Sequence, residues 1–269
     1  GTSNESQTEI AIENHVADVR LNRPEKYNAL NPEMFEAIIE AGRTVARDTQ
    51  VRAVVLSGKG RGFCAGLDFQ GFMEMGEKGA LNLMNRRADQ IANNAQLPAM
   101  IWKQVPVPVI AALHGVAFGG GLQIALGADI RLAAPDTRLS VMEIKWGIIP
   151  DMSATQTLRD LVRIDVAKEL TFSGRIVEAQ EAAQLGLITR ISEDPLTDAR
   201  QMAAEFAAKN PAAVSAAKHL FETVWHASAQ EGLQLEETLQ RSLMGSPNQL
   251  EAAAANFEKR PPKFSDRTD

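Results

Sequence analysis

Pro108-Val109-Ile110-Ala111-Ala112-Leu113-His114-Gly115, followed by Ala117-Phe118-Gly119-Gly120-Gly121, is the stretch that decides the fold. An apolar run short enough for a buried strand gives way to a glycine turn, and a helix opens directly behind it. The same order occurs upstream, where Ala53-Val54-Val55-Leu56 runs into Gly58-Lys59-Gly60-Arg61-Gly62-Phe63-Cys64-Ala65-Gly66. Glycine lets backbone approach a ligand closely, and a helix start offers unpaired N–H groups. Two such loops on neighbouring strands could aim two N–H groups at one oxygen. A donor in an oxyanion hole of this kind is worth about 3 to 4 kcal/mol of transition-state stabilisation. The alternative is that these glycines do no more than turn the chain.

Outward from that centre, residues 9–21 alternate apolar and polar about Glu13-Asn14, a hairpin pattern. Asn31-Pro32 pairs a cap with a first-position proline, and a helix runs to about Asp48 with Met34, Ile38, Ile39 and Val45 on one side. Residues 76–103 read as helical behind a polar lead-in, and residues 129–133, 138–142 and 187–191 as strands. After Pro195 strand patterns vanish, with helix starts at Pro195, Asn210-Pro211 and Ser246-Pro247, the last with capping-box spacing between Ser246 and Gln249. Arg260-Pro261-Pro262 ends the final helix. The expected organisation is an α/β core over residues 9–195 and a helical oligomerisation region over 196–269.

The 269 residues are 45% hydrophobic and 23% charged, an ordinary globular mix. Lysine plus arginine number 28 against 34 acidic residues, a net charge of −6, which argues against a nucleic-acid binder. No apolar run is long enough to cross a bilayer, and no secretion signal is seen at the start. One cysteine, Cys64, excludes a disulfide framework and a multi-cysteine metal cluster. A reducing, cytoplasmic setting is expected.

Leu21-Asn22-Arg23-Pro24 with Asn28-Ala29-Leu30, then Gly62-Phe63-Cys64-Ala65-Gly66-Leu67-Asp68, then the stretch quoted first, together resemble the crotonase (enoyl-CoA hydratase/isomerase) superfamily across residues 9–264. The resemblance implies a spiral of β-β-α units with a C-terminal helical trimerisation region, assembled as a homotrimer or a dimer of trimers. It implies an acyl-CoA thioester substrate, with no metal and no cofactor beyond the substrate's own CoA. The thioester oxygen would sit between the N–H groups of Ala65 and Gly120, and backbone around Ala65, Gly66, Leu67 and Asp68 would hold the CoA. Lys26 would lie near the nucleotide, as would Lys263 and Phe264, the last two in reach of a neighbouring subunit. The wall of the acyl pocket would come from residues 69–103.

Carboxylates decide the reaction. Enolate formation needs a base within hydrogen-bond reach of a substrate carbon. The two glutamates that handle water in the resembling hydratases correspond here to Gln123 and Glu143, and glutamine cannot ionise. Eight positions beyond Glu143 lies Asp151, where hydratases carry glycine. Glu143 and Asp151 match the paired acids of the dienoyl-CoA isomerases, although those enzymes carry an aspartate at the Gln123 place. The simpler Δ3,Δ2-enoyl-CoA isomerases use the Glu143 position alone. The residues therefore favour an isomerase, with Glu143 as base and Asp151 as second acid. Gln123 and Trp146, which stands between the acids, are substrate-side candidates. Hydratase, related lyase or hydrolase activity, an aspartate nucleophile at Asp151, and a non-catalytic acyl-CoA-binding protein are the alternatives. Asp151 also precedes an expected helix over residues 152–161 and could simply cap it.

Other motifs weigh less. Gly62-Phe63-Cys64-Ala65-Gly66 matches a nucleophile elbow with cysteine in place of serine. A cysteine hydrolase would need one of His15, His114, His219 or His226, none of which the sequence marks as oriented by an acid. The 58–66 loop lacks a P-loop ending, and Ile124 stands where a dinucleotide fingerprint needs glycine.

Overall fold

A computed structural model describes residues 6–268. The chain opens with β1 (Thr8–Glu13) and β2 (Val16–Leu21), an antiparallel hairpin. Asn14 and His15 both have positive φ, the geometry of the tight turn that matches strand twist. Along β2, Ala17, Val19 and Leu21 point inward and the alternate residues do not. Then come α1 (Pro32–Arg47), its Asn31 cap accepting from Met34 N, and β3 (Ala53–Gly58), buried at every position.

The helix expected over residues 76–103 is instead two shorter ones, with a third helix in front of them. In chain order the three are α2 (Phe69–Met75), α3 (Glu77–Met84) and α4 (Leu97–Gln104). Gly76, at φ 67°, breaks the first pair. Before α4 the side-chain oxygen of Asn93 accepts from Ala95 N and Gln96 N, a local turn that competes with helix.

Next are β4 (Val109–Leu113), β5 (Val116–Phe118), α5 (Gly120–Gly127), β6 (Ile130–Ala133), β7 (Arg138–Ser140) and α6 (Ala154–Leu158). β4 and β6 lie in a six-stranded sheet completed by β9 (Arg190–Ile191), order β1-β2-β3-β4-β6-β9; β5 and β7 lie in a three-stranded one completed by β8 (Val177–Glu178), order β5-β7-β8. Before α5 and again before α6 the chain thus passes from the large sheet to the small one, the β-β-α unit of the expected spiral. It continues as α7 (Ile164–Ser173), β8 (Val177–Glu178), α8 (Ala179–Leu185) and β9 (Arg190–Ile191). From β2 onward the large sheet is parallel. Its central strands are buried on both faces, hence the unbroken apolar runs.

One face carries the main core, with Val54, Leu56, Ala111 and Leu113 packed beside residues of α1, α4 and α5. The other face, Ala53, Val55, Ile110 and Leu132, is covered by α9 (Pro195–Ala207) through Ala199 and Ala203. The first helix of the expected C-terminal region is therefore part of the core. After it come α10 (Pro211–Val224), α11 (Ala229–Leu243) and α12 (Pro247–Glu258). Lys218 of α10 is buried against Asp129 at 2.8 Å and donates to the carbonyls of Trp102 and Val107. The capping box lies at Ser228 and Glu231 of α11, not at Ser246 and Gln249. Ser246 Oγ instead donates back to Leu243 O, and Gln249 Oε1 accepts from Gly245 N. No helix among the described residues is long and apolar enough to cross a membrane.

Candidate active site

Asn28, fully buried, holds the first glycine loop in place. Its amide donates to the carbonyls of Lys59, Gly62 and Phe63, all at 3.0 Å. Downstream the loop becomes extended backbone. Cys64 bridges Ala117 of β5, and Leu67 bridges Leu30. The Leu30 bridge uses Gly66 O, which accepts from Leu30 N at 2.8 Å, and Asp68 N, which donates to Leu30 O at 3.0 Å. Successive amides of an extended chain face opposite sides, so the Leu67 N–H faces away from Leu30.

Ala65, the expected oxyanion donor of this loop, does not fill that role: its N–H is bonded to Tyr27 O at 2.9 Å. Leu67, whose N–H faces away from Leu30, has no hydrogen-bond partner for that N–H among the described residues. On the second loop Gly119 N bonds Ser140 O, while Gly120, first residue of α5, has an N–H that no turn of helix can satisfy. The loops touch. Gly66 has φ 95°, and a Cβ on it would lie 2.7 Å from Phe118 O and 3.5 Å from Gly120 N. Leu67 and Gly120 both line a cavity of about 690 Å³.

Glu143 opens a short 3₁₀ turn, Glu143–Trp146, and is buried in the same cavity. Gly119, at φ 54°, brings its backbone close enough that a Cβ there would stand 3.3 Å from Glu143 Oε1. That oxygen accepts from Gln123 Nε2 at 2.7 Å, and Gln123 Oε1 accepts from Met152 N at 2.8 Å. Glu143 Oε2 is buried with no protein partner among the described residues. Desolvation by burial raises the Glu143 carboxyl above its ordinary value, and the Asp151 charge adds to that; the bond from Gln123 opposes it. Asp151 lines the cavity and is likewise raised by desolvation. It does not cap α6. The N-cap there is Ser153, with no side-chain cap bond, and the helix is shorter than the sequence suggests.

The wall matches the expected span in part: Phe69, Phe72, Leu83, Met84 and Ala95 come from it, but Phe35 comes from α1, and Ile148 and Ile149 close the opposite side. Trp146 lines the cavity and stacks on Phe69 with ring centroids 4.4 Å apart.

The other expected binding residues lie elsewhere. Asp68 Oδ1 caps α2 through Gly71 N and Oδ2 pairs with Arg23 at 2.9 Å, which together hold its carboxyl below the usual range. Its side chain is structural. Lys26 lines a separate depression beside Arg23 and Asp68. Lys263 N donates to Glu251 and Phe264 O accepts from Arg52, so neither reaches the cavity of its own chain.

Cys64 is fully buried, its thiol donating to Asn28 O at 3.2 Å, and burial pushes it up to about 12. The thiolate a hydrolase needs is absent at neutral pH. His226 does meet an acid, Asp160 at 2.6 Å, but outside the cavity, whose described lining holds no histidine. Native protein should therefore resist thiol alkylation and become labelled only on unfolding. Rapid labelling of the folded chain, followed by mass spectrometry, would contradict this.

A family model described as enoyl-CoA hydratase/isomerase matches residues 11–267. A Mycobacterium tuberculosis protein named as a probable enoyl-CoA hydratase is 32% identical over 260 residues, covering 96% of this chain and 97% of its own. The mitochondrial Delta(3,5)-Delta(2,4)-dienoyl-CoA isomerase of Mus musculus is 32% identical over 274 residues, covering 96% of this chain and 81% of its own. The crystal structure of an enoyl-CoA hydratase from Bacillus anthracis superposes with a TM-score of 0.87 at 30% identity, covering 96% of this chain and 98% of that one.

Proposed function

This chain belongs to the enoyl-CoA hydratase/isomerase family, and on that footing we propose that it shifts a carbon–carbon double bond along an acyl-CoA, in the manner of a Δ3,Δ2-enoyl-CoA or dienoyl-CoA isomerase. One observation carries the reading. The cavity holds an ionisable Glu143 with one unpartnered oxygen, beside a glutamine that cannot ionise. Activating water by a second carboxylate at position 123 is thereby removed, while a proton-transfer base remains.

The Glu143 carboxylate takes a proton from the carbon next to the thioester, and the electron pair moves onto the thioester oxygen. The N–H groups of Leu67 and Gly120 stabilise that charge in a water-poor setting. Return of a proton to the far end of the conjugated system, from Glu143 or from Asp151, regenerates the thioester with its double bond moved. Asp151 suits the second role because it shares the cavity and is biased toward its protonated form. The chemistry needs no resident cofactor. Phe221, Trp225, Leu233, Met244, Leu250 and Phe257 leave large apolar area exposed on and after α10, as a homotrimer interface would require.

The hydratase reading draws on the M. tuberculosis relative and on the second hydrogen of the Gln123 amide, which has no partner among the described residues and could orient a water. Assay of 3-enoyl-, 3,5-dienoyl- and 2-enoyl-CoA in deuterated buffer separates the two. Double-bond migration should outpace hydration of 2-enoyl-CoA by about tenfold or more, a difference of roughly 1.4 kcal/mol in barrier. Hydration as the faster reaction would reverse the assignment.

A further inference from the structure

We propose that Gln123 is a positioning residue: a strut that ties the Glu143 carboxylate to the backbone beside Asp151, reserving one oxygen of Glu143 as an anchor and leaving the other as the proton carrier. The inference rests on Glu143 being the base, and it concerns how that base is held.

Gln123 sits on α5, is 2% exposed, and uses both ends of its amide. Its NH₂ can donate only, and its oxygen can accept only. The oxygen meets the Met152 N–H, so the NH₂ must face Glu143; a flipped amide would set carbonyl against carboxylate and NH₂ against N–H. The orientation is therefore fixed by the backbone. The peptide that supplies the N–H joins Asp151 to Met152. One side chain thus spans two segments, the 3₁₀ turn bearing Glu143 and the loop bearing Asp151. Those two acids lie eight positions apart, Glu143 on the 3₁₀ turn and Asp151 in the loop that follows it. Gln123 supplies that link from a third element.

The anchor also selects the reactive atom. Oε1 is engaged at 2.7 Å while Oε2 is buried without a partner. A carboxylate held by one oxygen keeps a single rotation, as a near-attack geometry requires, and misplacement by about 1 Å can cost on the order of 100-fold in rate. The ionisable side chains facing Glu143 across the described cavity lining reduce to Asp151, and Lys145 Nζ stands 5.3 Å from the Trp146 ring centroid.

The test compares Q123M, which keeps length and loses both hydrogen bonds, with Q123E and with E143Q. For Q123M the expectation is a 10- to 100-fold fall in kcat, by the misplacement argument above, with KM changed by less than about threefold. The acidic limb of its pH–rate profile should move to higher pH, because a hydrogen bond favouring the ionised carboxylate is gone. Q123E should recover activity only on the acid side, where the introduced carboxyl is protonated and can donate as the amide does. At higher pH two carboxylates would face each other and activity should fall. A residue of merely structural importance would lower the folded fraction without moving either limb. If E143Q is inactive while Q123M keeps the wild-type kcat and pH profile, the strut is refuted and the base stands. If E143Q stays active, the base assignment itself has failed. Should Q123M not fold, the acid-only activity of Q123E decides, and a wild-type profile for Q123E overturns the proposal.

Discussion

Glu143→Gln is expected to slow double-bond migration by about 10²- to 10⁴-fold, the usual worth of a positioned general base. The substitution is close to isosteric. The new amide oxygen can still accept from Gln123 Nε2, so the strut, the cavity and the two main-chain donors should persist. The proton-accepting atom is what disappears. The same change should stabilise the protein at neutral pH. Burial raises the Glu143 carboxyl, so the folded state binds its proton more tightly than the unfolded state does. Stability from this group is fully present below the ordinary carboxylate range and is lost as pH rises through the folded value. The variant should therefore melt above wild type near pH 7, with the gap closing as the buffer is acidified. Wild-type kcat/KM should fall on acidification at a pH above that of an ordinary glutamate, since the active form is the carboxylate. Turnover of the variant within a few-fold of wild type, or a lower melting temperature at pH 7 with no convergence in acid, would remove Glu143 from its role. A gain in stability on losing activity is the usual trade at such sites.

The sequence was informative where local chemistry and tertiary structure agree. Asn31-Pro32 caps α1 by its own side chain, and Gly119 takes a backbone conformation open mainly to glycine. Glu143 and Asp151 stand out through the family resemblance, and both line the cavity. The Ala65 N–H, expected to be free, is taken by Tyr27 O for a long-range reason. Which amide of the 64–67 segment is left free depends on Tyr27 and Leu30, whose carbonyls take the N–H groups of Ala65 and Asp68. Those partners lie nearly forty residues upstream, and no glycine pattern encodes the register. β5 escaped notice because it is three residues long. α11 was missed although Leu235, Leu239 and Leu243 recur at i, i+4 spacing behind the Ser228–Glu231 capping box. The role of α9 in the core was hidden by its alanines, which read as generic helix until they are seen closing the second face of the sheet.

Replacing the Gly120 amide N–H by an ester oxygen is the direct probe of the other half of the site, and it should lower kcat by about 10²- to 10³-fold. A side-chain substitution would be a poor probe, because a Cβ at Gly120 would fall 2.7 Å from Met152 Sδ and 2.8 Å from Leu30 Cδ1. The ester adds no atom there. Gly120 is the first residue of α5, so its N–H closes no helical hydrogen bond and helix formation should survive the change. The loss should fall on kcat more than on KM, because the donor serves a charge that develops only as the enolate forms. Ground-state binding of a saturated acyl-CoA, followed by calorimetry, should change by less than about threefold by the same reasoning. An ester at Gly119 is the control: its N–H bonds Ser140 O, so its loss should weaken folding more than turnover of the folded fraction. Equal effects from the two esters, or an unimpaired Gly120 ester, would mean that the thioester oxygen is held elsewhere. The Leu67 amide could not then be its partner, since the two donors are useful only as a pair converging on one atom.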